Sequence, residues 1–395
     1  MKPLAFPVLG ILAALLPVAS QALDIRGYTP ERHDRFTGFP TAPAVNSGAW
    51  FDSSAYSAVG WSVSDPRRQF ALVSPRHFLS ASHWPLSPGE VISFLAPDGQ
   101  IVSRTIESTT VVNRDGHGTD LTLGRFTEEI PAATGILPFP YLRFATEAEY
   151  NGHPLQVFGF NAKVGGATFV GFSGLDVGTG STRMIWYTYD AEATGQDDCH
   201  FAVGDSNSPT FGTMNGKPAL VGLHSALIVS SDSRYYYNYD IAVPWYVPQL
   251  DALLAADGWR MIPSDQPPTT LSVAADVPTN AMIKGQPGSA TFIVANPAAA
   301  GDGNLTVTLE FPVGAEPASV TGVGWVTIQN GPQIWTFRRQ TLDAQSSATL
   351  TASWPVVPSV SAFEVFATTD SDGDQSRTTV LTLSPQAKKG KGGRH

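Results

Sequence analysis

From Leu23 to Leu383 the apolar residues come in short runs, each closed by Gly, Pro, Asn or Asp. Phe70-Ala71-Leu72-Val73 and Leu155-Gln156-Val157-Phe158-Gly159-Phe160 are examples. Such runs, broken by turn residues and rich in β-branched and aromatic side chains, predict strands. Helical periodicity is nearly absent. Its best case is Val247 to Ala256, with apolar residues at Val247, Leu250, Leu253 and Leu254. The 37 glycines and 31 prolines supply the many turns this demands. The chain therefore predicts a mainly β protein.

The chain has one cysteine, Cys199, so no disulfide closes within it and no multi-cysteine zinc cluster forms. Stability must come from packed cores, which 395 residues allow. A net charge of −10 argues against nucleic acid as a partner. Residues 1–22 combine Lys2, an apolar run to Ala19 and a small-residue end at Ser20-Gln21-Ala22. This predicts a signal peptide cut after Ala22, and a secreted or periplasmic protein. No other stretch has the length of apolar sequence that a spanning helix needs.

Composition changes near Ser264. The segment 264–270 contains Pro267-Pro268 and little to bury, and predicts a linker. It separates a first domain at 23–263 from a second at 271–385. In the second, Ala290-Thr291-Phe292-Ile293-Val294 and Leu305-Thr306-Val307-Thr308-Leu309 alternate with turns, the pattern of a small antiparallel β-sandwich. Residues 386–395 form a basic tail. Asp370-Ser371-Asp372-Gly373-Asp374 has the alternating carboxylates of a calcium loop but lacks its further ligands, and predicts a hairpin turn instead. Tyr235, Tyr236, Tyr237 and Tyr239 suit either a substrate groove or an edge strand.

Three segments of the first domain carry chemistry. They are Ser80-Ala81-Ser82-His83, Asp120-Leu121-Thr122-Leu123 and Gly204-Asp205-Ser206-Asn207-Ser208-Pro209. A serine hydroxyl needs an imidazole to take its proton, and the imidazole needs a carboxylate to hold its tautomer. The chain offers one candidate for each role, in the order His, Asp, Ser. No Gly-x-Ser-x-Gly elbow of the ester-hydrolase kind is present.

Over about residues 40–258 these segments resemble the chymotrypsin-type (trypsin-like) serine protease family. The resemblance implies a two-barrel domain followed here by the β-sandwich, which loosely resembles immunoglobulin-like modules of exported bacterial proteins. It implies His83 as general base, Asp120 as its orienting carboxylate and Ser206 as nucleophile. The backbone N–H groups of Gly204 and Ser206 would form the oxyanion hole. The floor of the primary pocket falls on His200 by strict count, or on Asp197 if about three residues are inserted. Ser225 falls where the family supports its aspartate, and Leu227 would line and narrow the pocket. Cys199 would be a reduced thiol lining or backing it. The implied substrate is a polypeptide, no cofactor or metal is expected, and the appended module implies a cell-surface or matrix ligand.

The chain departs from the family pattern in three ways. Asn207 and Ser208 replace glycines, the disulfides are absent, and no Ile-Val-Gly-Gly start is present. In the family a new N-terminal amine pairs with the aspartate before the nucleophile, here Asp205. Either Asp205 finds another cation or the protein is built already active. If Asn207-Ser208 spoils the oxyanion geometry, the chain is instead an impaired, protease-like binding or adhesion protein.

Overall fold

The computed structural model describes residues 23–177, 180–278 and 280–388. The expected signal peptide and most of the basic tail lie outside these residues. The fold is mainly β: a closed barrel, a seven-stranded sheet and a β-sandwich, in chain order.

The barrel is made by Val59–Ser62, Gln69–Ser74, His77–Ala81, His117–Phe126, Ile101–Arg114 and Val91–Leu95, hydrogen-bonded in that circular order. Gln69–Ser74 and His77–Ala81 are buried along their whole lengths, as expected for a continuous apolar run inside a barrel wall. The rings of Phe78 and Phe126 stack with centroids 5.0 Å apart. Gly124 makes this possible, since a Cβ there would lie 2.1 Å from the Phe78 ring.

The second sheet runs in the order Lys163–Thr168, Pro154–Gly159, Pro209–Met214, Lys217–Val229, Tyr235–Ala242, Gly180–Asp190 and Gly171–Val177. All its pairings are antiparallel. One hydrophobic cluster joins it to the barrel. At the seam the rings of Tyr56, Phe139, Phe158 and Phe211 meet at 4.5–6.1 Å. This fixes the two sheets as one body. The tyrosine-rich segment is a strand between two others rather than an edge. The expected helix forms over Val247–Leu254 and buries Leu250 and Leu254. Ala255–Asp257 continue it as a tighter 3-10 turn that ends at Gly258, in the left-handed region.

The sandwich packs a four-stranded sheet (Ser272–Asp276, Gly288–Asn296, Ser346–Trp354, Ser319–Thr321) on a five-stranded one (Val326–Asn330, Ile334–Leu342, Asp302–Glu310, Phe363–Asp370, Arg377–Leu383). Burial alternates along Gly288–Asn296 and Ser346–Trp354, the period of two that one core face imposes. Phe292, Leu305, Val307, Leu350 and Val365 are wholly buried between the sheets.

The sandwich touches the preceding unit through polar side chains. Arg338 lies over the Trp259 ring at 3.3 Å, pairs with Glu129 at 2.8 Å and donates to the Asp257 carbonyl. Gln340 donates to the carbonyls of Asp251 and Trp259. The segment 264–270 is also tied down: Gln266 donates to Gly301 O, and the Thr269 hydroxyl to Asp302. Asp372 accepts from Arg260 at 3.0 Å and from Asn304 at 3.0 Å, and Asp374 from the Leu271 N–H. The carboxylates of the Asp370–Asp374 hairpin turn thus fasten the sandwich to the chain entering it.

Candidate active site

His83 follows the buried barrel strand His77–Ala81. That strand pairs with the strand of Asp120 so that Ala81 faces Leu121. The register brings the two segments together just past the pair: Ser82 N–H donates to Asp120 O at 2.7 Å. Asp120 is 3% exposed and aims its carboxylate at His83. It accepts from the His83 backbone N–H at 3.0 Å, and both its oxygens lie 2.9 Å from Nδ1.

Two residues of the second sheet hold the aspartate from behind. Thr182 Oγ1 accepts from Asp120 N–H at 3.0 Å, and Ser225 Oγ donates to Oδ2 at 2.5 Å. Ser225 sits where the pairing of Lys217–Val229 with Tyr235–Ala242 shifts register between His224 and Ala226. Such an irregularity turns a side chain away from strict alternation, here toward Asp120.

Ser206 lies in the loop before Pro209–Met214. Its Oγ is 2.8 Å from His83 Nε2. Because the carboxylate of Asp120 only accepts, Nδ1 carries the proton and Nε2 presents its lone pair to the Ser206 hydroxyl. The three residues singled out in sequence therefore form one continuous hydrogen-bonded chain.

The loop around Ser206 engages some of its backbone N–H groups and leaves others free. Those of Asp205, Asn207 and Ser208 donate to Ala202 O, His224 O and Asp205 O. Those of Gly204 and Ser206 have no acceptor among the described residues, and both residues line the adjacent cavity. Gly204 has φ +107°, and a Cβ there would lie 2.3 Å from the Phe160 ring. Asn207 has φ +78°, which asparagine tolerates better than most side-chain-bearing residues. It is wholly buried, and its amide oxygen accepts from Ala81 N–H. The glycine-to-asparagine departure is thus accommodated without disturbing the free N–H groups on either side of Asp205.

Asp205 points inward, 1% exposed. It accepts from the N–H groups of Phe160 (2.8 Å), Ala202 (2.7 Å) and Leu23 (3.3 Å). Burial pushes its carboxyl above the usual range, with the backbone hydrogen bonds opposing.

A cavity of about 330 Å³ opens beside Ser206, between Phe201-Ala202-Val203 and Ser225-Ala226-Leu227, with His224 behind. His224 is 1% exposed, packs on the Phe201 ring at 3.8 Å and uses both ring nitrogens, on Asp240 at 2.9 Å and on Phe158 O. Neither candidate for the pocket floor lines this cavity. His200 stacks on Tyr236 at 3.9 Å, with Nε2 3.4 Å from Asp24. Asp197 is held by Arg32 at 2.7 and 2.8 Å and by His33 at 3.1 Å. The two-residue strand Cys199–His200 pairs instead with Asp24–Ile25. Ser225 and Leu227 do line it. Cys199 is a free, buried thiol that does not line it, and burial pushes its thiol pKa well up. A larger groove of about 530 Å³, bounded by Asp34, Phe36, Phe39 and Asn161, contains none of the three chain-forming residues.

Sequence reasoning gave no role to Thr182, to the Leu23 N–H contact or to the His224–Asp240 pair. Asn207 was visible as a departure from a glycine pattern, but its two distant backbone partners were not.

No protein-family model matches the chain, and no curated protein matches it. Among solved structures the chain is similar to the secreted serine protease VesC from Vibrio cholerae, at 11% identity and a TM-score of 0.34. The match covers 84% of this chain and 69% of that one.

Proposed function

We propose that the protein is a serine endopeptidase in which Ser206, His83 and Asp120 carry the chemistry. The observation that supports this most is the chain from Ser206 Oγ to His83 Nε2 at 2.8 Å and from Nδ1 to Asp120 at 2.9 Å. Ser206 attacks a peptide carbonyl while its proton passes to Nε2. The developing oxyanion is stabilised by the unengaged N–H groups of Gly204 and Ser206. His83 then protonates the departing amine, leaving an acyl-enzyme on Ser206. Water, deprotonated by the same nitrogen, releases the acid. Asp120 keeps the imidazole turned and stabilises its cationic form.

The cavity supports an uncharged, apolar side chain on the residue before the scissile bond. Phe201, Ala202, Ala226 and Leu227 make much of its wall. The titratable groups behind it are engaged: Asp205 by three N–H groups, and His224 by Asp240 and Phe158. This argues against selection for Lys or Arg, which requires an accessible carboxylate at the floor. No helix among the described residues is long and apolar enough to cross a membrane. The leader-like residues 1–22 support an exported enzyme. The binding-protein reading rested on Asn207 and Ser208 spoiling the loop, and the free N–H groups flanking Asp205 weigh against it.

A fluorophosphonate probe tests the proposal. Wild type should be labelled and Ser206→Ala should not. An unlabelled wild type, or labelling that survives the substitution, overturns it. Digestion of casein by the wild type, absent in Ser206→Ala, separates a peptidase from a hydrolase of small esters.

A further inference from the structure

The nucleophile and its base come from different sheets. His83 follows the barrel strand His77–Ala81, and Ser206 precedes the strand Pro209–Met214 of the seven-stranded sheet. Something must hold the two loops in register to within a fraction of an ångström, because proton transfer is steeply sensitive to that separation.

One side chain spans the gap. Asn207, next to Ser206, accepts from the Ala81 backbone N–H at 2.7 Å through Oδ1 and donates to the Trp84 carbonyl at 3.1 Å through Nδ2. Ala81 and Trp84 bracket His83 on its two sides. Both functional atoms of the amide are therefore used, each on one flank of the histidine loop. The side chain is wholly buried, so water does not compete for these bonds.

The backbone adds a second, independent argument. Asn207 has φ +78°, a region that glycine enters freely and other residues rarely adopt. Glycine would satisfy the turn alone. A side chain kept at that φ, with both polar atoms engaged across the sheets, serves something beyond the turn.

We infer that Asn207 is a positioning residue, a clasp that fixes the Ser206 loop to the His83 loop and so sets the distance between Ser206 Oγ and His83 Nε2. The inference rests on the proposed roles of Ser206 and His83. Asn207 itself touches neither reacting atom. Its effect should fall on the rate of the chemical step and leave substrate binding nearly unchanged.

The test compares wild type with Asn207→Gly and Asn207→Asp in the full chain. Glycine keeps the turn and removes both bonds. Aspartate keeps the acceptor for Ala81 and loses the donor to Trp84. Three readouts are taken: fluorophosphonate labelling rate, kcat and KM per titrated site on a peptide substrate, and amide exchange at Ala81 by NMR. For Asn207→Gly we expect kcat and labelling to fall about ten- to hundredfold, KM to change less than about threefold, and Ala81 exchange to quicken. Asn207→Asp should lie between glycine and wild type. Unchanged Ala81 exchange in the glycine variant overturns the clasp. Faster exchange with unchanged kcat per titrated site overturns its positioning role and leaves a purely structural one. A wild type that fails to label removes the protease reading itself, and with it the role assigned here.

Discussion

The backbone nitrogen of Leu23 lies 3.3 Å from Oδ1 of Asp205, at the base of the loop that carries Ser206. Leu23 is the first residue after the expected cut, and it is 1% exposed. In a chain cut after Ala22 that nitrogen becomes an ammonium facing a buried carboxylate. The pairing that the family resemblance implies would then need no separate activation step.

Protein beginning at Leu23 should therefore label with a fluorophosphonate at least about tenfold faster than protein that keeps residues before Leu23, the scale of one charge-assisted hydrogen bond. The sign of the pH effect follows. The ammonium is charged below its pKa, about 8 when free and higher when paired. The advantage of the cut chain should be full at neutral pH and disappear as pH rises through that value. Equal labelling of the two forms at neutral pH would remove the pairing from the account.

Ser225 donates to Asp120 Oδ2 at 2.5 Å from a register irregularity in the second sheet. Ser225→Ala removes a hydrogen bond to a charged group, worth roughly 1.5–3 kcal/mol. We expect kcat/KM to fall about ten- to hundredfold. The loss should be smaller than for Asp120→Asn, which leaves His83 without the partner that sets its tautomer, a change worth roughly 10⁴-fold in such triads. A panel of peptide substrates run on both variants checks the order.

Leu227 lines the cavity beside Ser206. Leu227→Gly should enlarge it and move preference from small or medium apolar side chains toward large aromatic ones. One or two methylenes of fit are worth about 1–3 kcal/mol, or ten- to two-hundredfold in kcat/KM. Profiling with a peptide library reads the shift. A wild type that cleaves after Lys or Arg would show the assigned cavity to be the wrong subsite.

Asp257 knots the helix end to the barrel. It accepts from Arg125 at 2.7 and 2.8 Å and lies 3.2 Å from His77 Nε2. Burial works to raise its carboxyl, but the hydrogen bonds from Arg125 and His77 outweigh it and hold the group well below the usual carboxylate range. A carboxyl depressed in the folded state adds stability above its unfolded pKa, about 3.9, and loses that stability as pH falls toward the folded value. Asp257→Asn should therefore lower the urea midpoint at pH 7 by the equivalent of about 1–3 kcal/mol. The difference from wild type should shrink in acid, and a difference independent of pH would contradict the assignment.

Cys199 is buried with Sγ 3.4 Å from Gly166 O, and burial pushes its thiol pKa well up. A thiol reagent should leave native protein unmodified and titrate one thiol per chain in denaturant. Gly165→Ala would place a Cβ 2.5 Å from Cys199 Cβ, and should destabilise the fold by about 1–3 kcal/mol.

Much of this protein is written locally. Strands form where β-branched and aromatic runs meet turn residues, because that preference acts over a few residues. The order His83, Asp120, Ser206 is equally a property of the chain. So is the helix at Val247–Leu254, with its apolar spacing. What lines the pocket is different in kind. His200 was reached by counting and Asp197 by allowing an insertion, and neither procedure can see that Cys199–His200 pairs with the distant Asp24–Ile25 or that neither residue lines the cavity beside Ser206. The partners of Asn207 and Asp205 were likewise unreadable, and Ser225 beside Asp120 was legible only through the family resemblance. Ala81, Leu23 and Ser225 each lie more than a hundred residues from the side chain they meet. The sequence by itself determined which side chains could do chemistry, since that depends on residue type and local spacing. Only the tertiary structure decided which backbone groups hold them there, because those contacts exist only once two sheets have closed on each other.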